Sequence, residues 1–461
     1  MTNPAPYSTS ILGSSFQCIA IALAMLYGMA MIATQPAQAQ TFAVIHTFSG
    51  IDGANPVAGL TIDTRGRLYG TTQNGGHQNS FCPQQGCGTA FRLAAQGGGW
   101  TLTPLHQFEG PGDGATPMAR PVFGPNGLLY GTTDAGGAQF CEGPSCGTAY
   151  SLRPGATACT AALCPWLESV LYSFGGIEDI CEGSRDWGAR PTHNPQRQGE
   201  LVLGSCPTFG ELTFDHAGNI YGTVPCCSGA VYELTPGGTP TALYYFTGGD
   251  DGDSPQSGVI FDSAGNLYGT TQGGGTGGCG TVYELSPSSS GWTEKVLYNF
   301  QCGFSSDGQY PIGGLIFDAA GNLYGTTNFA GANNGGTVFE LSPLGGGNWT
   351  FHLLYSLSYN GTFDFLLYGP TGTLAMDSSG SLYGTTVMDG AFGGGSVFKL
   401  TPSHGGWTYT SLHDFGGGSD GGNPFGNVVL DASGNVYGTA GVGGLSGCEG
   451  LGCGVVWKIT P

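Results

Sequence analysis

From residue 42 onward the apolar positions fall into runs of four to seven residues, rich in β-branched and aromatic side chains and bounded by Gly, Pro, Asp or Ser. That pattern predicts short antiparallel strands joined by tight turns. A helix would need longer runs at 3.6-residue spacing, and none occurs in this region. One stretch shows the full frame. SGVIFD (257–262) turns through Ser263-Ala264-Gly265 into NLYGTT (266–271), a Gly-rich loop leads to GTVYEL (280–285), and a turn from Pro287 to Trp292 leads to EKVLYNF (294–300). We call these strands a, b, c and d.

The frame recurs. YGT occurs seven times, at Tyr69, Tyr130, Tyr221, Tyr268, Tyr324, Tyr383 and Tyr437, each between an a-type run such as GGLIFD (313–318) and a c-type run such as GTVFEL. The seventh unit ends at GVVWKI (454–459) without a strand d, while FAVIHTF (42–48) matches strand d with no strands before it. The arrangement predicts an all-β fold: a seven-bladed β-propeller of four-stranded antiparallel blades, formed by residues 40–461 as one domain and closed by strand 42–48 joining blade 7. An open solenoid would need polar capping repeats, which are not seen. Several a-to-b turns read D-x-x-G-N, as from Asp262 to Asn266 and from Asp318 to Asn322. An Asp that bonds the backbone ahead of it and a Gly at positive φ are hairpin chemistry, so these carboxylates read as structural rather than catalytic. The Gly of YGT reads as a site of close packing between inner strands.

The N-terminus reads as an export signal over residues 1–39: an uncharged apolar run (16–32), then Ala37-Gln38-Ala39 as a small-x-small cleavage site, with the mature chain starting at Gln40. Residues 1–15 lack the usual Lys or Arg, so an uncleaved anchor is the rival reading. The cysteines agree with export. Cys82 and Cys87, Cys141 and Cys146, Cys159 and Cys164, and Cys448 and Cys453 are each five apart and predict local disulfides. Zinc is the competing reading, but structural zinc favours CxxC spacing or Cys with His. Cys279 starts strand c and Cys302 follows strand d of the same blade, which predicts a fifth bridge. Cys181, Cys206, Cys226 and Cys227 admit three pairings.

Composition narrows the partners. With Lys and Arg at 11 against 31 Asp and Glu, and a net charge of −20, phosphate-rich nucleic acid and anionic lipid surfaces are excluded as partners. Aromatics at 11% and hydrophobics at 39% argue against disorder.

By these units, YGT with GTVFEL and L-Y-x-F, residues 42–461 resemble the GloVer tandem repeat of exported bacterial proteins, and more loosely NHL-type propellers. The resemblance implies an extracytoplasmic, propeller-like repeat protein and no known reaction. Such proteins often continue into a C-terminal anchor, which is not expected here because strand c ends at the C-terminus.

Alternating strands place the d-to-a and b-to-c loops on one face. There D-G-x-x-P recurs with Asp52, Asp113, Asp251, Asp307 and Asp420, which predicts a negative face that collects cationic ligands, against a plain D-G turn. Asp250, Asp251 and Asp253 are the best place for Ca²⁺, the one cofactor considered. The long d-to-a insertion at 175–209 offers Trp187, Arg190 and His193 as first candidates to read a ligand, against a surface insertion pinned by disulfides. His46, His106 and His413 replace the Tyr of strand d and read as sheet packing. G-x-S-x-G at Gly143–Gly147 and the glycines at 273, 275 and 278 precede no helix and carry no chemistry. No catalytic residue is assigned. The expectation is a monomeric binding or scaffold module whose partner is a glycan, a cation or a surface protein; the alternative is a lyase or hydrolase on the acidic loop face, and polar groups converging on one pocket would separate them.

Overall fold

The computed structural model describes residues 40–137, 147–155, 166–174, 210–225, 228–303, 305–359, 369–444 and 447–461. The leader, the 175–209 insertion with Trp187, Arg190 and His193, and Cys141, Cys146, Cys159, Cys164, Cys181, Cys206, Cys226 and Cys227 lie outside these residues. The described residues form 28 strands in seven four-stranded sheets, from β1 (Thr41–Thr47) to β28 (Val455–Thr460). The predicted seven-bladed propeller is what forms. Six blades are consecutive; the seventh has β1 as its outer strand beside β28. Phe48 N–H donates to Gly454 O at 3.1 Å, continuing that junction.

Strand a is shorter than the six-residue runs suggest: it pairs over only two or three residues, as in Ile260–Phe261 and Leu60–Ile62. The residues before it bond to the neighbouring blade instead. The first Thr of YGTT donates across the ring, Thr270 Oγ1 to Gly313 O at 3.3 Å and Thr385 Oγ1 to Gly426 O at 2.9 Å.

Strand b is buried along its whole length. Its Gly lies opposite the aromatic residue of strand c, as in Gly384↔Phe398 and Gly438↔Trp457. A Cβ on Gly384 would sit 2.6 Å from Phe398 Cζ and 2.9 Å from Leu374 Cδ2, so only glycine fits under the ring. The Tyr of YGT donates its hydroxyl to the turn Asp, Tyr268 to Asp262 at 3.1 Å and Tyr437 to Asp431 at 3.0 Å. Burial would raise the Asp262 pKa, but the hydrogen bonds from Asn266, Ala264 and Tyr268 outweigh it and hold the carboxyl below its ordinary value. These carboxylates are turn residues, as the repeat pattern predicts. Between sheets, the Trp that opens strand d leans on the YGT tyrosine of the preceding blade: Trp349 on Tyr268, Trp407 on Tyr324, and Trp100 on Tyr437 across the closure, with ring centroids 5.8–6.4 Å apart.

Isolated bridges tie the d-to-a loop of five blades to the b-to-c loop of the blade it leads into, as in Ala54↔Asn74, Asp253↔Gly273 and Gly422↔Val442, which puts these loops on one face. The residue before the loop proline is left-handed in five blades: Asn55, Thr116, Ser254, Tyr310 and Asn423, with φ of 52–58°. Such a residue costs about 1–2 kcal/mol. Its two backbone groups recover this. The N–H reaches the preceding blade (Thr116 to Cys87 O, 2.8 Å; Tyr310 to Cys279 O, 3.0 Å), and the C=O accepts from its own blade (Asp134 N, 3.1 Å; Asn328 N, 3.0 Å).

Candidate functional site

The loop face is built on the five D-G-x-x-P aspartates, and their carboxylates turn back into the scaffold. Asp52 accepts from the N–H and hydroxyl of Ser49 (both 2.8 Å) and meets His46 Nε2 at 2.9 Å. Asp113 accepts from the N–H groups of Glu109 and Gly110 and meets His106 Nε2 at 2.9 Å. Asp251 accepts from Tyr244 and Thr247, Asp307 from Tyr298 at 2.8 Å, and Asp420 from Gly416 N–H while facing His413 at 3.3 Å. The Tyr or His of strand d is therefore the partner of the Asp in the loop that follows that strand. The three histidines pack in the sheet, as expected, and also hold these carboxylates. Burial works against ionisation of Asp52, but the bonds from His46 and Ser49 prevail and lower its pKa to about 2. Burial lowers the His413 pKa, against the pull of Asp420.

The ring of aspartates is thus a set of loop clasps. Asp250, Asp251 and Asp253 do not assemble a ligand set: Asp251 is bonded inward, Asp253 accepts from Ser254 at 2.9 Å, and no three acidic, His or Cys side chains converge on a metal position among the described residues. Three predicted disulfides are formed: Cys82–Cys87, Cys448–Cys453 and Cys279–Cys302, with Cα–Cα distances of 5.2–5.4 Å.

Two concavities open between these clasps. One is the central channel, about 530 Å³, lined by the residues that follow each loop proline. The second residue of each a-type run, just before the paired strand, lies on its wall: Arg120, Glu211, Gly258, Gly314, Thr373 and Asn427 in successive blades. Arg120 and Glu211 form an ion pair, which keeps the channel neutral. Burial opposes the Arg120 charge, and Glu211 more than restores it. Gln73, Gln256 and Gln272 add amides, and Val57, Met118, Ile312 and Phe425 add apolar surface.

The second concavity, about 960 Å³, lies where blade 7 meets blade 1. Its walls come from the Cys82–Cys87 loop on one side and the Cys448–Cys453 loop on the other. Gln73, Gln78, Gln84 and Gln107 face it, with Asn55 and Asn74 at its base. Asn74 Nδ2 donates to Asn55 Oδ1 at 3.0 Å, and Asn55 Nδ2 to Gly441 O at 2.9 Å, so the base is fixed across the closure.

The Gloeobacter/Verrucomicrobia repeat matches residues 25–185 and 207–450. The chain belongs to that repeat family. Its fold is similar to a gluconolactonase from Xanthomonas campestris (15% identity, 56% of this chain and 74% of that one, TM-score 0.35) and to the PQQ-bound aldose sugar dehydrogenase of Streptomyces coelicolor (12% identity, 92% and 99%, TM-score 0.45). At this distance the likeness concerns fold and says nothing of activity. No curated protein matches the sequence.

In this member of the repeat family, sequence reasoning placed the loop face and missed its acids with raised pKa. Glu168 and Glu294 stand two residues after the strand-d Trp, where other blades carry Phe42, Phe351 or Tyr409. Those rings stack on the strand-d Tyr or His of the preceding blade, Phe42 on His413 at 3.6 Å and Tyr409 on Tyr355 at 4.8 Å. A carboxyl in that slot is half-buried, and burial pushes both groups up to about 7. Burial alone lifts Asp134 to about 6. The signal was present: two repeats carry Glu where the others carry an apolar residue.

Proposed function

We propose that this chain is an exported binding and scaffold propeller that works outside the cytoplasm and meets its partner on the loop face. The disulfides support an oxidising compartment. The observation that carries the reading is how the face spends its charge. The five repeat carboxylates clasp their own loops, and two concavities among the described residues are a channel with a neutralised ion pair and a groove lined by amides. Such a surface suits recognition of an uncharged polar partner better than bond cleavage, which asks for unpaired acids, bases or nucleophiles in one pocket.

The test is to express the full chain, purify it oxidised from the extracytoplasmic fraction, and measure binding to glycans and to surface-protein extracts by thermal shift and calorimetry. Saturable binding with the ligand recovered chemically unchanged is expected, on a protein whose N-terminus is Gln40. Turnover of a bound ligand would replace this reading with the lyase or hydrolase alternative, and retention of residues 1–39 would make it a membrane-anchored module.

A further inference from the structure

We infer that the groove where blade 7 meets blade 1 is a binding site for a neutral oligosaccharide, an inference that rests on the binding reading above. A groove of about 960 Å³ has the size of a ligand cleft. Its chemistry is unusual for this chain. Among the described residues that line it there is no Asp, Glu, Lys or Arg, although the net charge is −20. Among the described lining side chains an anion finds no Lys or Arg, His77 being the one titratable group, and a cation finds no carboxylate, since Asp52 is bound to His46 and Ser49.

Glutamines take the place of charge. Each primary amide offers an acceptor oxygen and two N–H donors. Neighbouring amides therefore match adjacent sugar hydroxyls, which both donate and accept. Gln78 is braced by donating Nε2 to Gln84 O at 3.1 Å. The exposed side chains of Gln84 and Gln107 have no hydrogen-bond partner among the described residues, so their full capacity faces the groove.

The apolar half of a sugar ring is also provided for. Ile51 and Leu451 line the groove at 81% and 69% exposure, which is extreme for large aliphatic side chains. Covering them removes apolar surface from water, and the C–H face of a pyranose does this while its hydroxyls meet the amides. Leu451 is carried on the loop of the Cys448–Cys453 disulfide and Gln84 on that of Cys82–Cys87. Little order has then to be gained on binding.

Calorimetry of the oxidised full-chain protein tests this against neutral hexaoses of glucose, mannose, xylose, galactose and N-acetylglucosamine, with hexagalacturonate as the charged counterpart. At least one neutral hexaose should bind, and hexagalacturonate should bind at least tenfold more weakly. The double variant Gln84→Ala, Gln107→Ala should weaken binding at least tenfold with an unchanged melting temperature. Gln107→Glu, which keeps size and adds charge, should weaken it as well, whereas Gln256→Ala in the channel should leave it intact. If a hexaose binds and the groove variants leave its affinity alone, or if only a surface protein binds, the groove assignment falls and the binding reading stands. If nothing binds, both fall.

Discussion

Glu168 and Glu294 show how one residue can set the response of a whole ring to pH. Each holds its proton to about pH 7 in the folded chain because of burial, against an ordinary value of 4.5. The folded state therefore binds these protons more tightly than the unfolded state. Their contribution to stability is full below about pH 4.5 and is lost as pH rises through about 7. Asp52 and Asp377, lowered to about 2 from 3.8, act in the opposite sense: their stabilisation is present above about 3.8 and is lost as pH falls toward 2. The melting temperature should peak near pH 4–5 and decline toward pH 8. The Glu168→Gln, Glu294→Gln double variant should flatten the decline; an unchanged slope in calorimetric melts would show that these two carboxyls are not its source. The exchange of an apolar residue for Glu was visible in the repeats, but the raised pKa was not, because burial at a blade junction depends on the neighbour's ring. The turn aspartates were legible, because their partners are four and six residues away in the same hairpin.

Strands and loops were read more completely than single residues. Every YGT sits on a buried strand b, and the Cys279–Cys302 bridge follows from the positions of c and d in one blade. The length of strand a was not legible, since its first residues answer to the adjacent blade. The three bridges differ in what they constrain. Cys279–Cys302 spans 23 residues and ties the start of strand c to the end of strand d, while the other two span five. By loop-closure entropy, losing the long bridge should cost about 3 kcal/mol and losing a short one about 2 kcal/mol. Denaturant melts of Cys279→Ser, Cys302→Ser beside Cys82→Ser, Cys87→Ser check the order. The short bridge should matter more to ligand binding than to stability, because it shapes the groove wall.

At the scale of the molecule, closure was legible and the groove it creates was not. A strand d without a blade at one end, and a blade without strand d at the other, could only complete each other. The groove joins two b-to-c loops of the same C-x-x-x-G-C-G pattern that stand at opposite ends of the sequence, in blades 1 and 7, so no single unit contains it. Closure rests on packing to both sides. Phe42 stacks on His413 of blade 6, and fully buried Phe48 meets Phe91 of blade 1 at 5.2 Å. A chain beginning at Ser49 should melt well below the full chain and regain most of the loss when a peptide of residues 40–48 is added. Equal melting of the two chains would mean that the ring does not depend on β1.

The same closure puts a clock on the chain. Strand β1 is the first part of the propeller to leave the ribosome, and β28, the strand it pairs with, is the last. At roughly 5–20 residues per second, β1 waits about 20–80 s for its partner. Blades 1 to 6 are each complete before β28 is made, yet the ring stays open until β28 appears. A nascent chain of this design cannot lock its ring shut until its first strand and its twenty-eighth have both been made.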